Sequence, residues 1–118
     1  MKYFTGTRII IIVALIAHVI QAYTVKVFPG FTSICRIYVT DCHGKVIRDA
    51  VKKDCKDLFR STIFKWDEAP DLYCPHIYPI TRPKDNKYIP IYKQDACIVL
   101  SGDLISGWSM KQHPLEDC

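Results

Sequence analysis

The cysteines are the residues of this sequence whose chemistry is least ambiguous. An even number of them, six, is typical of a small protein that folds in an oxidising compartment, so three disulfides are predicted. No two are spaced as a CxxC or CxxH pair, which argues against a structural zinc site, and neither a metal nor another cofactor is predicted. Their pairing stays open at this point; the residues are Cys35, Cys42, Cys55, Cys74, Cys97 and Cys118.

Basic and aromatic residues interleave between residues 82 and 93. Such a composition can hold a phosphate backbone and stack nucleic-acid bases. The alternative is a solvated loop and strand edge, on which lysines discourage edge-to-edge pairing, and the modest net charge favours this alternative. Trp66 lies beside two acidic residues outside any periodic run and is a further candidate for an exposed interaction residue. The candidate binding surface comprises Trp66, Arg82, Lys84, Lys87, Tyr92 and Lys93, with Tyr88 among them.

The first 22 residues have the three-part layout of a secretory signal. Lys2 and Arg8 precede an apolar run that extends to Ile20, and Gln21 and Ala22 close the segment. The apolar core is about a dozen residues long, whereas a membrane-spanning helix needs roughly 20. We therefore predict a signal peptide at 1–22 and a secreted domain at 23–118 with no membrane anchor. Of the 16 Lys and Arg, 14 remain after removal of the signal, against 12 Asp and Glu, a net charge of +2.

Most of the predicted elements of this domain are short strands. Alternation or β-branched composition predicts two strands in the first part and three short apolar runs that form a small antiparallel sheet in the second. Four of the seven prolines fall in residues 66–86, which are predicted to be mostly loop. The predicted strands are 24–28, 34–40, 88–92, 97–100 and 107–110.

One helix is predicted, over residues 46–60. Its apolar positions follow helical spacing and give one stripe, and Asp49 lies four residues before Lys53 in the favourable order. Phe59 on this helix and Trp108 on the last strand are predicted core anchors. The predicted fold is α+β, with one helix packed on one face of a small antiparallel sheet, stapled by disulfides.

With this order of elements, the chain resembles the guanyl-specific ribonucleases of filamentous fungi. The strings that carry the resemblance are YVTDCHG at 38–44, YCPHIY at 73–78 and KYIPI at 87–91, followed by the strand at 97–100 and the closing Cys118. It covers most of residues 38–118. A secreted precursor of this design is similar to the ribonuclease-like effectors of powdery mildew fungi, the RALPH group, although their aromatic-x-Cys start is absent here.

The resemblance implies a cleft that has lost its chemistry. His76 matches a catalytic histidine, but the position of the general base holds Tyr88, which stays protonated at neutral pH. Cys97 occupies the position of the arginine and Lys111 that of the general-acid histidine. His113 takes the acid role only if the register shifts by two residues. The resemblance thus implies a vestigial cleft at His76, Tyr88, Cys97 and Lys111, with no catalytic residue and no enzymatic activity.

The resemblance also implies a disulfide pattern. Cys42 and Cys118 match a bridge of the family. Cys74 and Cys97 match positions that face each other across the family's cleft, and we expect them to be bonded. Cys35 then pairs with Cys55.

The function implied is that of a secreted, non-catalytic effector of a fungal pathogen, delivered into the host cell. It would bind host plant proteins or RNA, and an immune receptor of the host would recognise it. Three alternatives remain. Residues 95–108 (DACIVLSGDLISGW) are similar to the last hairpin of the all-β MAX effectors of blast fungi, which implies a six-stranded sandwich without a long helix. An active ribonuclease would depend on His76, and a protease inhibitor would use residues 75–83 as its reactive loop.

Overall fold

The computed structural model describes residues 22–56 and 61–114 together with Glu116 and Cys118. These residues form nine β-strands and no α-helix. The strands are β1 (Tyr23–Phe28), β2 (Ile34–Thr40), β3 (Val46–Asp54), β4 (Phe64–Ala69), β5 (Leu72–Pro79), β6 (Lys87–Tyr88), β7 (Ile91–Tyr92), β8 (Ala96–Asp103) and β9 (Gly107–His113). The first sheet has the strand order β4-β1-β8-β9; the second has the order β3-β2-β5-β6, with β7 also paired to β5. The predicted α+β fold is therefore wrong.

Strand β3 occupies most of the segment predicted to be a helix. It pairs antiparallel with β2, with Arg36 opposite Lys52 and Ile37 opposite Val51. The helical reading failed because β3 is an edge strand with little burial: only Ile47 and Val51 are half-buried, and a spacing of four residues suits a strand as well as a helix. The last residues of the predicted helix, Phe59 among them, lie outside the described residues, as does the predicted signal peptide up to residue 21.

The proline-rich segment 66–86 is not mostly loop, because it contains the end of β4 and the whole of β5. Strand β5 tolerates two prolines because its neighbours on one side are very short. Strand β7 pairs with it at Leu72 and Tyr73, before Pro75, and β6 pairs with it at His76 and Ile77, directly after Pro75. Pro75 and Pro79 therefore fall where that side of β5 offers no strand ladder.

The two sheets share one apolar core. Its buried residues come from alternate positions of β1 and β8 in the first sheet and of β2 and β5 in the second. The predicted strands at 24–28 and 34–40 are confirmed as β1 and β2, and Trp108 is a core residue at 5% exposure. The core includes Val25, Val27, Ile37, Val39, Tyr73, Ile77, Ile98 and Leu100.

Of the two architectures considered from the sequence, the all-β sandwich is the closer. Its resemblance was carried by residues 95–108, and these lie in the antiparallel hairpin of β8 and β9. The structure nevertheless has nine strands in its described part, not six, and β1 and β8 pair in parallel.

All six cysteines are paired, which fits a protein that matures in an oxidising, extracellular compartment. The predicted bond between Cys35 and Cys55 is confirmed. The other two predicted bonds are wrong, because Cys42 pairs with Cys74 and Cys97 with Cys118. The register explains the first correction: Cys74 on β5 lies opposite Thr40 on β2, two residues before Cys42, whereas Cys97 belongs to the other sheet. Within the described residues no helix is long and apolar enough to span a membrane.

Candidate binding face

The candidate site is the face of the second sheet that points away from the core, which we call the outer face. Alternation along β2 buries Cys35, Ile37 and Val39, so the residues between them lie on the outer face. The strand register extends this face across the sheet, with Arg36 opposite Tyr78 and Tyr38 opposite His76. On the next strand, His76 lies opposite Tyr88. The outer face therefore carries Arg36, Tyr38, His76, Tyr78 and Tyr88.

Three of these rings form a continuous stack, the aromatic ladder of Tyr38, His76 and Tyr88. The ring centroids of Tyr38 and His76 are 4.6 Å apart with an interplanar angle of 15°. Those of His76 and Tyr88 are 4.9 Å apart at 24°. These distances match the separation of neighbouring strands, so the sheet itself sets the spacing of the rings. Tyr88 ends the ladder at 58% exposure.

Hydrogen bonds hold the central ring of the ladder in one orientation. The His76 Nε2 atom is 3.1 Å from Thr40 Oγ1, and His76 Nδ1 is 3.0 Å from Asn86 Oδ1. Because Asn86 Oδ1 can only accept, Nδ1 is the donor to it, and in the neutral ring Nε2 then accepts from the Thr40 hydroxyl. The backbone N–H of Cys42 donates to Thr40 Oγ1 at 3.2 Å. Asn86 Nδ2 in turn donates to the Tyr38 hydroxyl at 2.7 Å. Both nitrogens of His76 are engaged, so the ring positions its neighbours.

A groove of about 400 Å³ opens beside the ladder. The loop after β2 forms one wall, and the Cys42–Cys74 disulfide anchors this loop to β5. The Asp41 carboxylate accepts hydrogen bonds from the backbone N–H groups of His43, at 2.8 Å, and Lys45, at 3.1 Å. These bonds, with that from His43 the larger cause, lower the pKa of Asp41 below its usual value. The groove therefore has a fixed wall. Its lining residues are Tyr38, Thr40, Cys42, Gly44, Val46, Cys74, His76 and Tyr88.

A second depression, of about 430 Å³, lies on the other side of the ladder. Tyr38 and Tyr78 form two of its walls, with ring centroids 6.1 Å apart and planes at 70° to each other. Val46, Asp49 and Ala50 of the edge strand β3 complete the lining. We call this the edge depression. It presents two aromatic rings, one carboxylate and two small apolar side chains.

The structure does not assemble the predicted vestigial cleft. His76 and Tyr88 are neighbours in the ladder. Cys97 is buried in β8 of the first sheet and bonded to Cys118. Lys111 is exposed on β9, opposite Val99. The four residues therefore belong to two different sheets, and the arrangement on the outer face is one for stacking and hydrogen bonding.

The residues of the predicted binding surface do not form one surface, and two of them make hydrogen bonds to backbone carbonyls of the β8–β9 hairpin. Arg82 Nη1 donates to the Leu104 carbonyl at 2.7 Å, and Lys87 Nζ donates to the Trp108 carbonyl at 2.7 Å. Trp66 is half-buried against the core. The other three are exposed and lie away from the ladder: Lys84 in the loop before β6, Tyr92 on β7 and Lys93 directly after it.

Four residues around the ladder and its depression were not predicted as site residues from the sequence: Tyr38, Asp49, Tyr78 and Asn86. The signal for the tyrosines was present, because Tyr38 alternates with Ile37 and Val39, and His76 and Tyr78 are two residues apart around Ile77. A period of two places such residues on the face opposite the core.

The described residues contain no group of three or more His, Cys, Asp or Glu side chains that would hold a metal ion. The chain matches no protein-family model, no curated protein and no solved structure.

Proposed function

We propose that this protein is a secreted, disulfide-stapled β-sandwich effector of a fungal pathogen that acts by binding a host protein through the outer face of its second sheet. The observation that carries the proposal is the aromatic ladder of Tyr38, His76 and Tyr88, which is ordered by the sheet yet lies outside the core. Aromatic residues, tyrosine among them, are enriched in protein interfaces.

The order of the outer face supports binding because side chains that are already fixed lose little entropy when a partner docks. The Cys42–Cys74 disulfide and the hydrogen bonds of Thr40 and Asn86 restrain the ladder before any partner is present. Catalysis has less support. His76 uses both ring nitrogens inside the fold, and the groove beside it has no carboxylate among its lining residues.

The secreted and effector parts of the proposal have separate support. The signal-like N-terminal segment and the paired cysteines favour secretion. The described residues form strands and no α-helix, which agrees with the resemblance of residues 95–108 to the last hairpin of the MAX effectors better than with the ribonuclease resemblance. Delivery into the host cell and recognition by an immune receptor of the host are part of the same proposal.

The test compares two tyrosines of similar exposure. Tyr88 is 58% exposed at the end of the ladder, and Tyr92 is 62% exposed on β7, away from it. The secreted, oxidised protein and its Tyr88→Ala and Tyr92→Ala variants are immobilised, and proteins retained from host leaf extract are quantified by mass spectrometry. We expect a specific set to be retained by the native protein and by Tyr92→Ala, and to fall at least about tenfold for Tyr88→Ala, as for an interface hot spot.

The same three proteins are incubated with single-stranded RNA at two salt concentrations. Retention of host proteins that is insensitive to Tyr88→Ala would contradict the proposal. RNA binding that weakens with salt and depends on Tyr88 would replace the host protein with RNA as the ligand. RNA cleavage that is lost in a His76→Ala variant would make the protein an enzyme.

A further inference from the structure

The edge depression exists because β3 contains a bulge opposite the ladder. Ile37 is paired with Val51 and Val39 with Arg48. One residue of β2, Tyr38, therefore faces two residues of β3, Asp49 and Ala50. A bulge of this kind bends the strand and re-aims its side chains, and bulges are frequent at sheet edges and beside functional sites.

The bulge leaves the ladder incomplete by one ring. Stacked rings occupy neighbouring strands from Tyr88 through His76 to Tyr38. On the next strand the corresponding place holds Ala50, whose side chain is a single methyl group, and the edge depression opens there. One face of the Tyr38 ring is covered by His76. The other side of Tyr38 borders the depression, where a planar group would continue the stack.

The chemistry of the lining selects the charge of that group. Tyr38 and Tyr78 stand at 70° to each other, and two aromatic walls at such an angle attract a cation through the negative faces of their rings. Asp49 adds a carboxylate, and no lysine or arginine lines the depression. Among the described residues the one ion pair joins Lys65 and Asp67, so no described cation forms an ion pair with Asp49.

We propose that the edge depression binds a cationic side chain, arginine or lysine, of a partner protein. The inference rests on the proposed function, because it assigns a partner chemistry to the same outer face. The cation would lie against Tyr38 and Tyr78 and pair with Asp49. An arginine guanidinium is planar, so it would stack on Tyr38 as the fourth member of the ladder. Its forked N–H donors would also match the two oxygens of the Asp49 carboxylate.

Two cations flank the site and restrict what docks beyond it. Arg36 and Lys52 lie directly opposite each other on β2 and β3, and Arg36 is also opposite Tyr78. They do not line the depression. A partner segment with one cationic side chain in the depression and an acidic or neutral residue toward Arg36 and Lys52 fits this distribution of charge, whereas a run of basic residues would be repelled.

The test uses small probes and needs no identified partner. The ¹⁵N-labelled secreted protein is titrated with N-acetyl-arginine methylamide, with N-acetyl-lysine methylamide, and with N-acetyl-citrulline methylamide, which has the shape of arginine without its charge. Backbone amide shifts of Tyr38, Asp49 and Ala50 report the edge depression. We expect millimolar binding of one or both cations, binding of citrulline at least about fivefold weaker, and a loss of similar size for arginine in Asp49→Asn and Tyr78→Ala.

The control variant is Glu68→Gln, which removes an exposed carboxylate from β4 in the other sheet; arginine should bind it as it binds the native protein. Equal binding of arginine and citrulline, an unchanged affinity in Asp49→Asn, no shifts at these amides, or tighter binding of uridine monophosphate there would each overturn the inference. The comparison of Tyr88→Ala with Tyr92→Ala does not involve this depression. If the probes do not bind but Tyr88→Ala lowers retention of host proteins and Tyr92→Ala does not, the cation site is rejected and the proposed function stands.

Discussion

Two stacked aromatic clusters have nearly the same ring geometry and opposite environments. Phe31 and Trp108 stack with centroids 4.6 Å apart at 17°, and both are buried. Tyr38 and His76 stack at 4.6 Å and 15° but lie on the outer face. The comparison shows that stacking geometry alone does not tell a core anchor from an exposed platform; burial and polar partners do.

The buried cluster is closed on every side by the fold. Trp108 Nε1 donates to Asp85 Oδ2 at 2.7 Å, and Lys87 Nζ lies 5.0 Å from the centroid of the Trp108 ring. These contacts tie the loop before β6 to the β8–β9 hairpin. In the ladder of the outer face, the central ring, His76, has polar partners and a stacked ring on each side. The two ends are accessible, at Tyr88 and at the edge depression. We infer that the first cluster serves stability and the second serves binding.

The largest expected effect is on the buried cluster. Trp108→Ala removes a core ring and leaves a cavity against Phe31, which should lower the free energy of unfolding by about 3–5 kcal/mol. Urea unfolding followed by circular dichroism measures this. If the variant does not fold, Trp108→Phe keeps an aromatic ring against Phe31. It removes the bond to Asp85 and part of the buried ring volume, and should cost at least about 1–3 kcal/mol. A loss below about 1 kcal/mol for Trp108→Ala would contradict the inference that the buried cluster serves stability.

The disulfide beside the ladder gives the second effect. Replacing Cys42 and Cys74 together with alanine frees the loop that walls the groove, and should cost about 2–4 kcal/mol of unfolding free energy. The matched variant replaces Cys97, on β8 of the first sheet, and its partner Cys118. We expect both to lower stability in urea unfolding, but only the first to weaken retention of host proteins; equal effects on retention would contradict the assignment of the outer face.

Removal of Asn86 tests how the ladder is held. Asn86→Ala deletes the bonds to His76 and to the Tyr38 hydroxyl, each of which contributes about 0.5–1.5 kcal/mol. We expect a loss of about 1–2 kcal/mol in unfolding free energy and altered aromatic side-chain shifts of His76 by NMR. Thr40→Val is the companion variant, since it keeps the volume and removes the bond to Nε2. Unchanged His76 shifts in both would mean that stacking alone orients the ring.

The end of the ladder should matter least to stability. Tyr88→Ala removes one exposed stacking partner of His76, and we expect a change in unfolding free energy of about 1 kcal/mol or less. Tyr92→Ala should behave alike in urea unfolding. A cost above about 2 kcal/mol for Tyr88→Ala would show that the ladder is a structural element and would weaken its role in binding.

Acid should loosen the loop beside the groove without unfolding the core. The pKa of Asp41 is lowered below 3.8, first by the hydrogen bond from the His43 backbone. A lowered pKa means that its contribution is complete above pH 3.8 and is lost as the pH falls through the folded pKa. Relative to the intrinsic exchange rate at each pH, the protection of the His43 and Lys45 amides should fall in that window, while the protection of amides in the core strands stays constant. In Asp41→Asn the protection of these amides should not fall in this pH window. If it does, a group other than Asp41 causes the loosening of the loop.

The sequence predicted the strands where one face is buried and failed where burial is weak. Buried and more exposed side chains alternate over residues 34–39 because one face of β2 lies against the core, and the predicted strand at 34–40 was right. Strand β3 is an edge strand whose side chains are mostly exposed, so its pattern carried no strand signal. Strand β5 was not predicted because its segment contains four prolines. Only the strand pairing shows that Pro75 and Pro79 fall where β5 needs no backbone hydrogen bond to a neighbouring strand.

The candidate site could be predicted only in part. His76 and Tyr88 were named from the sequence, but their role followed from a resemblance whose fold the structure contradicts. Tyr38 and Tyr78 were readable from alternation with buried isoleucines. Asp49 was not, since a bulge that sets two residues against one depends on the register of two strands. The Cys42–Cys74 bond likewise follows from β2 and β5 being neighbours.

The most direct test of the central claim places a photo-crosslinking residue, p-benzoylphenylalanine, at position 88 in one sample and at position 92 in another. Both positions hold tyrosines of similar exposure. Tyr88 is paired with His76 of the ladder, whereas Tyr92 is paired with Leu72, four residues away along β5, so the two samples report different parts of the second sheet. After irradiation in host leaf extract, we predict a defined covalent adduct from position 88 and none from position 92. Adducts from position 92 alone, from both positions equally, or from neither would contradict the assignment of the aromatic ladder as the binding surface.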